Sequence, residues 1–137
     1  MNNSEMNILA RDKAIRYIGI SKKTEYEVRQ KLKGLKITPS VIDEEIEYLK
    51  ELGFINDIDY VKSFVKQCYK MEQYSIYEIY NKLLQKGLQT SIIEEELELL
   101  KDSDYEEQVK EKLLNGKLKS YDEEKRKAYL YRRGFKF

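Results

Sequence analysis

Two acidic runs, Asp43-Glu44-Glu45 and Glu94-Glu95-Glu96, are the first places in this chain to look for chemistry. Paired carboxylates can move protons or hold a divalent cation. Consecutive helical residues point about 100° apart, however, so a run of three acids makes a poor ligand set. Both runs are read instead as a solvated face near a helix start, where acids suit the helix dipole. Cys68, the only cysteine, sits in Lys66-Gln67-Cys68-Tyr69 and is read as a small packed residue rather than a reactive thiol. It can form no internal disulfide. The chain has no histidine, which removes the commonest general base and the commonest metal ligand. With one cysteine and no histidine, a zinc site of the ordinary kind is excluded. Neither Gly-x-x-x-x-Gly-Lys-Ser/Thr nor Gly-x-Gly-x-x-Gly occurs, so no loop of known type cradles a nucleotide phosphate. No catalytic, cofactor-binding or metal-binding residue is assigned, and the chain is read as a non-enzyme.

What remains is binding. Cations gather in three places: Lys22, Lys23, Arg29, Lys31 and Lys33; then Lys82 and Lys86; then Arg126, Arg132 and Arg133. These ten are the candidate partner-binding residues. Twelve tyrosines accompany them, and tyrosine offers contact area with a polar tip and a ring that stacks on bases.

The net charge of +1 hides a pattern. Residues 1–36 carry +5, 37–61 carry −6, 62–89 carry +3, 90–107 carry −7 and 108–137 carry +6. A repeat with one acidic element per unit produces such alternation. The repeat is visible directly. Thr24–Lys50 aligns without gaps on Ser75–Lys101, and 11 of 27 positions are identical, among them Tyr26/Tyr77, Glu27/Glu78, Lys31/Lys82 and Leu32/Leu83. Lys82–Leu88 also lines up with Tyr129–Phe135 as the start of a third copy.

Each copy reads as three helices. Ser/Thr-x-x-Glu is a capping box, and Thr24…Glu27, Ser75…Glu78, Ser91…Glu94, Ser103…Glu106 and Ser120…Glu123 match it. Thr38-Pro39 is a further start, while Gly34, Gly53, Gly87 and Gly116 mark stops. Apolar spacing such as Ile42, Ile46, Leu49 and Ile76, Ile79, Tyr80, Leu83, Leu84 is helical, and no stretch alternates with period two. These features predict helices near 5–19, 24–33, 39–52, 57–73, 75–86, 91–102, 103–115 and 120–133. In the joint Gly53-Phe54-Ile55-Asn56-Asp57, Phe54 and Ile55 are expected to plug a seam, and Asn56 or Asp57 to cap the next helix. The fold expectation is all-α: tandem three-helix repeats over 1–55, 56–102 and 103–137, stacked as an elongated, curved right-handed or solenoid-like array. The third repeat is expected to lack its last helix. Segments of about ten residues are too short to stand alone as helices, so packing must hold them.

No apolar run approaches 18 residues, and MNNSEMNILARDK lacks a basic-then-apolar leader pattern. With the single cysteine, these features set a cytoplasmic location, without membrane contact and as a monomer, as the expectation.

Three stretches stand out as landmarks: Ala14-Ile15-Arg16-Tyr17-Ile18 leading to Lys23–Leu32, then Tyr48-Leu49-Lys50-Glu51-Leu52-Gly53-Phe54-Ile55-Asn56-Asp57, then Tyr129-Leu130-Tyr131-Arg132-Arg133-Gly134-Phe135. Together they resemble the RecX regulators of the RecA recombinase. The resemblance implies a protein that binds the RecA filament and curbs its recombinase, ATPase and co-protease activities in DNA repair and the SOS response. Single- or double-stranded DNA would be a weaker contact, alone or within the filament. The alternative from the residues is a helical module that binds nucleic acid through phosphate contacts and tyrosine stacking.

Overall fold

The computed structural model describes residues 1–136. Among them are eight α-helices and no strand: α1 Asn3–Ile20, α2 Glu25–Gly34, α3 Pro39–Glu51, α4 Asp57–Met71, α5 Ile76–Gln85, α6 Thr90–Lys101, α7 Tyr105–Asn115 and α8 Glu123–Arg132. Each predicted helix is present, with ends moved by at most three residues. The fold is that of a helical repeat.

Chain contacts divide the molecule into two units. One comprises Met1–Tyr60 with Lys86–Leu88, the other Val61–Gln85 with Gln89–Phe137. In the first unit α1, α2 and α3 pack pairwise on one another. Their apolar stripes supply Ala14, Val28, Leu32, Ile46 and Leu49, all fully buried. Alanines on α1 let the other two helices approach, and full burial of each leucine contributes roughly 2 kcal/mol. In the second unit α5 packs on α6 and α6 on α7, around Ile79, Leu83, Ile93 and the fully buried ring of Tyr105.

The joint after α3 behaves differently from expectation in one respect. Ile55 is buried in the core of the first unit, but Phe54 is exposed. Left-handed Gly53 (φ +80°) turns the chain so that only one of the two apolar neighbours faces inward. Leu84 likewise lies exposed at the edge of its helical stripe. Asn56 caps α4, accepting from the Asp59 amide at 3.0 Å. Asp57 is not redundant with it: its Oδ1 accepts the Glu25 amide at 2.9 Å and so caps α2.

Of five expected capping boxes, two form. Ser91 lies inside α6, which starts at Thr90. Ser103 Oγ is used one residue early, accepting from the Tyr105 amide and donating to Leu100 O. At α8 the cap is Asp122, which accepts from the Lys125 amide, and not Ser120. An aspartate two residues closer to the helix competes directly for the same orphan amides.

Candidate partner-binding surface

The two capping boxes that form hold more than their own helices. Thr24 Oγ1 accepts from the Glu27 amide at 3.1 Å and donates to Lys86 O at 2.7 Å. Ser75 Oγ accepts from the Glu78 amide at 3.1 Å and donates to Arg133 O at 2.6 Å. Both hydroxyl residues are fully buried. Each box glutamate then meets the side chain of that same carbonyl's residue: Lys86 Nζ lies 3.5 Å from Glu27 Oε2, and Arg133 Nη2 lies 2.8 Å from Glu78 Oε1. The following glycines, Gly87 (φ +75°) and Gly134 (φ +82°), carry the rings of Tyr26 and Tyr77 where a Cβ would stand. Tyr26 and Tyr77 thus share one environment, written once in each unit. Lys86 and Arg133, both expected to face a partner, are engaged in these clasps. Burial works against the charge of Arg133, but Glu78 and Tyr129 outweigh it and hold its pKa above the ordinary value.

The other eight expected contact residues differ in their surroundings. Lys22 and Arg29 are tied by ion pairs. Lys22 Nζ is 2.6 Å from Asp59 Oδ2, and Arg29 bridges Glu25 and Asp43 at 2.9 and 2.7 Å. Hydrogen bonding to Asp43 is the main reason the Arg29 pKa is raised. Arg126 donates to the carbonyls of Leu118 and Lys119. Three lysines stand beside tyrosine rings. Lys23 and Lys31 flank Tyr17 at 4.6 and 5.4 Å from its centroid, and Lys82 lies 4.5 Å from Tyr74. Lys33 and Arg132 are exposed on the ends of α2 and α8.

The identity of Lys31 and Lys82 across the repeat foretold their equivalent positions, but the rings beside them did not show in the sequence. Tyr17 belongs to α1, outside the aligned segment, and Tyr74 precedes α5. A third cluster was missed as a set: Lys125 over Tyr121 at 4.3 Å and Lys117 near Tyr129 at 4.9 Å, with the two rings edge to face.

The acidic runs also separate. Glu45, expected on a solvated face, is 1% exposed. Arg11 meets it with Nε at 2.8 Å and Nη2 at 3.1 Å while lying 3.7 Å over the Tyr48 ring, and Asn7 adds a donor at 2.9 Å. The repeat partner of this pair is Lys62 and Glu96, 3.8 Å apart. The α1–α3 salt link is therefore repeated as α4–α6 even where the sequences of α1 and α4 diverge. Among the described residues no three His, Cys, Asp or Glu side chains gather as a metal site.

Comparison with known proteins places this arrangement. The model of the RecX first three-helix domain matches residues 10–49. A regulatory protein RecX of Caldanaerobacter subterraneus is 34% identical over 128 residues, covering 92% of this chain and 64% of that protein. The chain belongs to the RecX family. A regulatory protein RecX of Clostridium beijerinckii is 43% identical over 94 residues, 69% of this chain and 43% of its own length. The chain thus spans less than two thirds of the length of these RecX relatives. The crystal structure of RecX from Lactobacillus salivarius superposes with a TM-score of 0.82 at 28% identity, over 98% of this chain and 91% of that one. A second RecX crystal structure, 21% identical, shares the fold with a TM-score of 0.86. The relatives are named as regulatory proteins. Among the described residues no helix is long and apolar enough to cross a membrane.

Proposed function

We propose that this chain binds the filament of the RecA recombinase in the cytoplasm and restrains its recombinase, ATPase and co-protease activities, by docking and not by catalysis. One observation carries the reading beyond family membership. Lys31 on α2 and Lys82 on α5 are repeat equivalents, and each stands against a tyrosine ring. A helical polymer presents one surface many times, and a chain that writes one patch twice can engage successive copies. Weak contacts linked in this way add through effective concentration. The test is a RecA ATPase assay on single-stranded DNA with the purified chain. Turnover should slow as the chain approaches the concentration of filament subunits. Unchanged turnover at several-fold excess removes the reading.

The lysine–tyrosine pairs also favour a second reading, binding of nucleic acid through phosphates and stacked bases. The near-neutral charge of +1 speaks against it as the main activity. Tight retention of bare single-stranded DNA, falling steeply with salt, would reverse that order.

A further inference from the structure

In the first unit the space between α2 and α3 is closed by charge. Arg29 Nε lies 2.9 Å from Glu25 Oε2, its Nη1 lies 2.7 Å from Asp43 Oδ1, and Lys50 Nζ lies 3.1 Å from Glu25 Oε1. At the repeat offset these four residues become Ile76, Tyr80, Glu94 and Lys101. The central pair, Glu25 and Arg29, is replaced by an apolar and an aromatic side chain, while the outer acid and the outer base are kept. In the second unit all four line an open groove of ≈ 440 Å³, with Leu97 on its floor and Glu106 and Glu107 on its rim. Glu106 is occupied by the amides of Ile76 and Lys136, and Glu107 by Lys110 at 2.7 Å. Glu94 is exposed and has no ion pair among the described residues.

We infer that this groove receives an arginine side chain of a protein partner, which does for Glu94 what Arg29 does for Asp43. A guanidinium matches a carboxylate with two parallel donors and also stacks on an aromatic face. This chain pairs arginine in that way elsewhere, with Arg11 on Glu45 and over Tyr48. Here Glu94 supplies the acceptor and Tyr80 the ring, while Ile76 and Leu97 cover the methylene stem. With Glu106 held by two backbone amides and Glu107 paired with Lys110, Glu94 is the lining carboxylate left to take a cationic group. A lysine would bring neither the fork nor the planar face. The inference does not depend on the filament reading, because the occupant is defined by the groove.

The test is a titration of the ¹⁵N-labelled full chain with the peptide acetyl-Leu-Arg-Leu-amide, followed by NMR. A second peptide carries citrulline, equal in shape and uncharged, in place of arginine. Saturable shifts are expected in residues 76–80 and 94–101, with affinity about ten-fold lower for the citrulline peptide, the loss of one charge-assisted contact. E94Q should cause a similar loss. The double variant I76E/Y80R, which rebuilds the first unit's internal pair, should abolish the shifts while circular dichroism shows unchanged helix content. No shift in these residues, equal binding of both peptides, or wild-type affinity in E94Q would overturn the inference.

Discussion

At the scale of single residues, burial decides which charges matter. Glu45 is enclosed, while its partner Arg11 keeps 43% of its side chain exposed. Removing the arginine strands a buried carboxylate, and an uncompensated buried charge costs more than a lost surface pair. Arg11→Ala is expected to lower the thermal unfolding midpoint clearly, and R11A/E45Q to recover part of the loss because no charge is then stranded. Lys22→Ala, whose pair with Asp59 is exposed at both ends, should stay within about 0.5 kcal/mol of the parent chain. A double variant no better than R11A would show that packing, not charge, sets the cost. Cys68 illustrates the same rule for a neutral group. Burial pushes its thiol from the ordinary 9.0 to about 11. Reaction with a disulfide reagent at neutral pH should therefore be roughly 100-fold slower in the native chain than in denaturant. Because the folded pKa is the higher one, the thiol's contribution to stability is complete below pH 9 and is lost as pH rises towards 11. C68A should flatten that part of the alkaline unfolding curve, measured by circular dichroism.

At the scale of elements, the α2 and α5 starts do two tasks with one hydroxyl. Thr24 and Ser75 cap their own helices and also fix the carbonyls of Lys86 and Arg133. Glycine must follow each of these carbonyls, for the backbone is left-handed and the tyrosine ring fills the place of a side chain. Gly87→Ala and Gly134→Ala should each destabilise by roughly 1–3 kcal/mol, from overlap with Tyr26 or Tyr77 plus an unfavourable φ. Gly19→Ala, in α1 with open space around it, should stabilise by roughly 0.5–1 kcal/mol. Thermal unfolding of the three variants checks both signs. Equal effects in all three would mean that the rings give way freely.

At the scale of the whole molecule, the repeat makes a residue-level reading possible. Lys31 and Lys82 stand on equivalent helices, so reversing both to glutamate should weaken restraint of the RecA ATPase more than either change alone. The effect should be largest at low salt, where exposed charges steer association. Inhibition unchanged in K31E/K82E would remove this face from the contact surface. Most of the architecture behind this prediction was legible in the sequence. Eleven identities at one offset, capping boxes and glycine stops located all eight helices, because these signals act within a turn or two of the chain. The candidate surface was legible only in part. The lysines repeated visibly, but Tyr17 and Tyr74 came beside them through packing of segments outside the aligned stretch.

The sequence alone determined the helices, their triplet order and the duplication, since propensity, capping and apolar spacing are local and additive along the chain. Only the tertiary structure decided which charges are tied and which are free. Glu45 and Glu96 are equivalent glutamates of the two acidic runs, yet one is sealed against Arg11 and the other is only partly covered beside the exposed Lys62. That difference depends on which distant side chain reaches each carboxylate, and the spacing of residues along one strand of sequence carries no record of it.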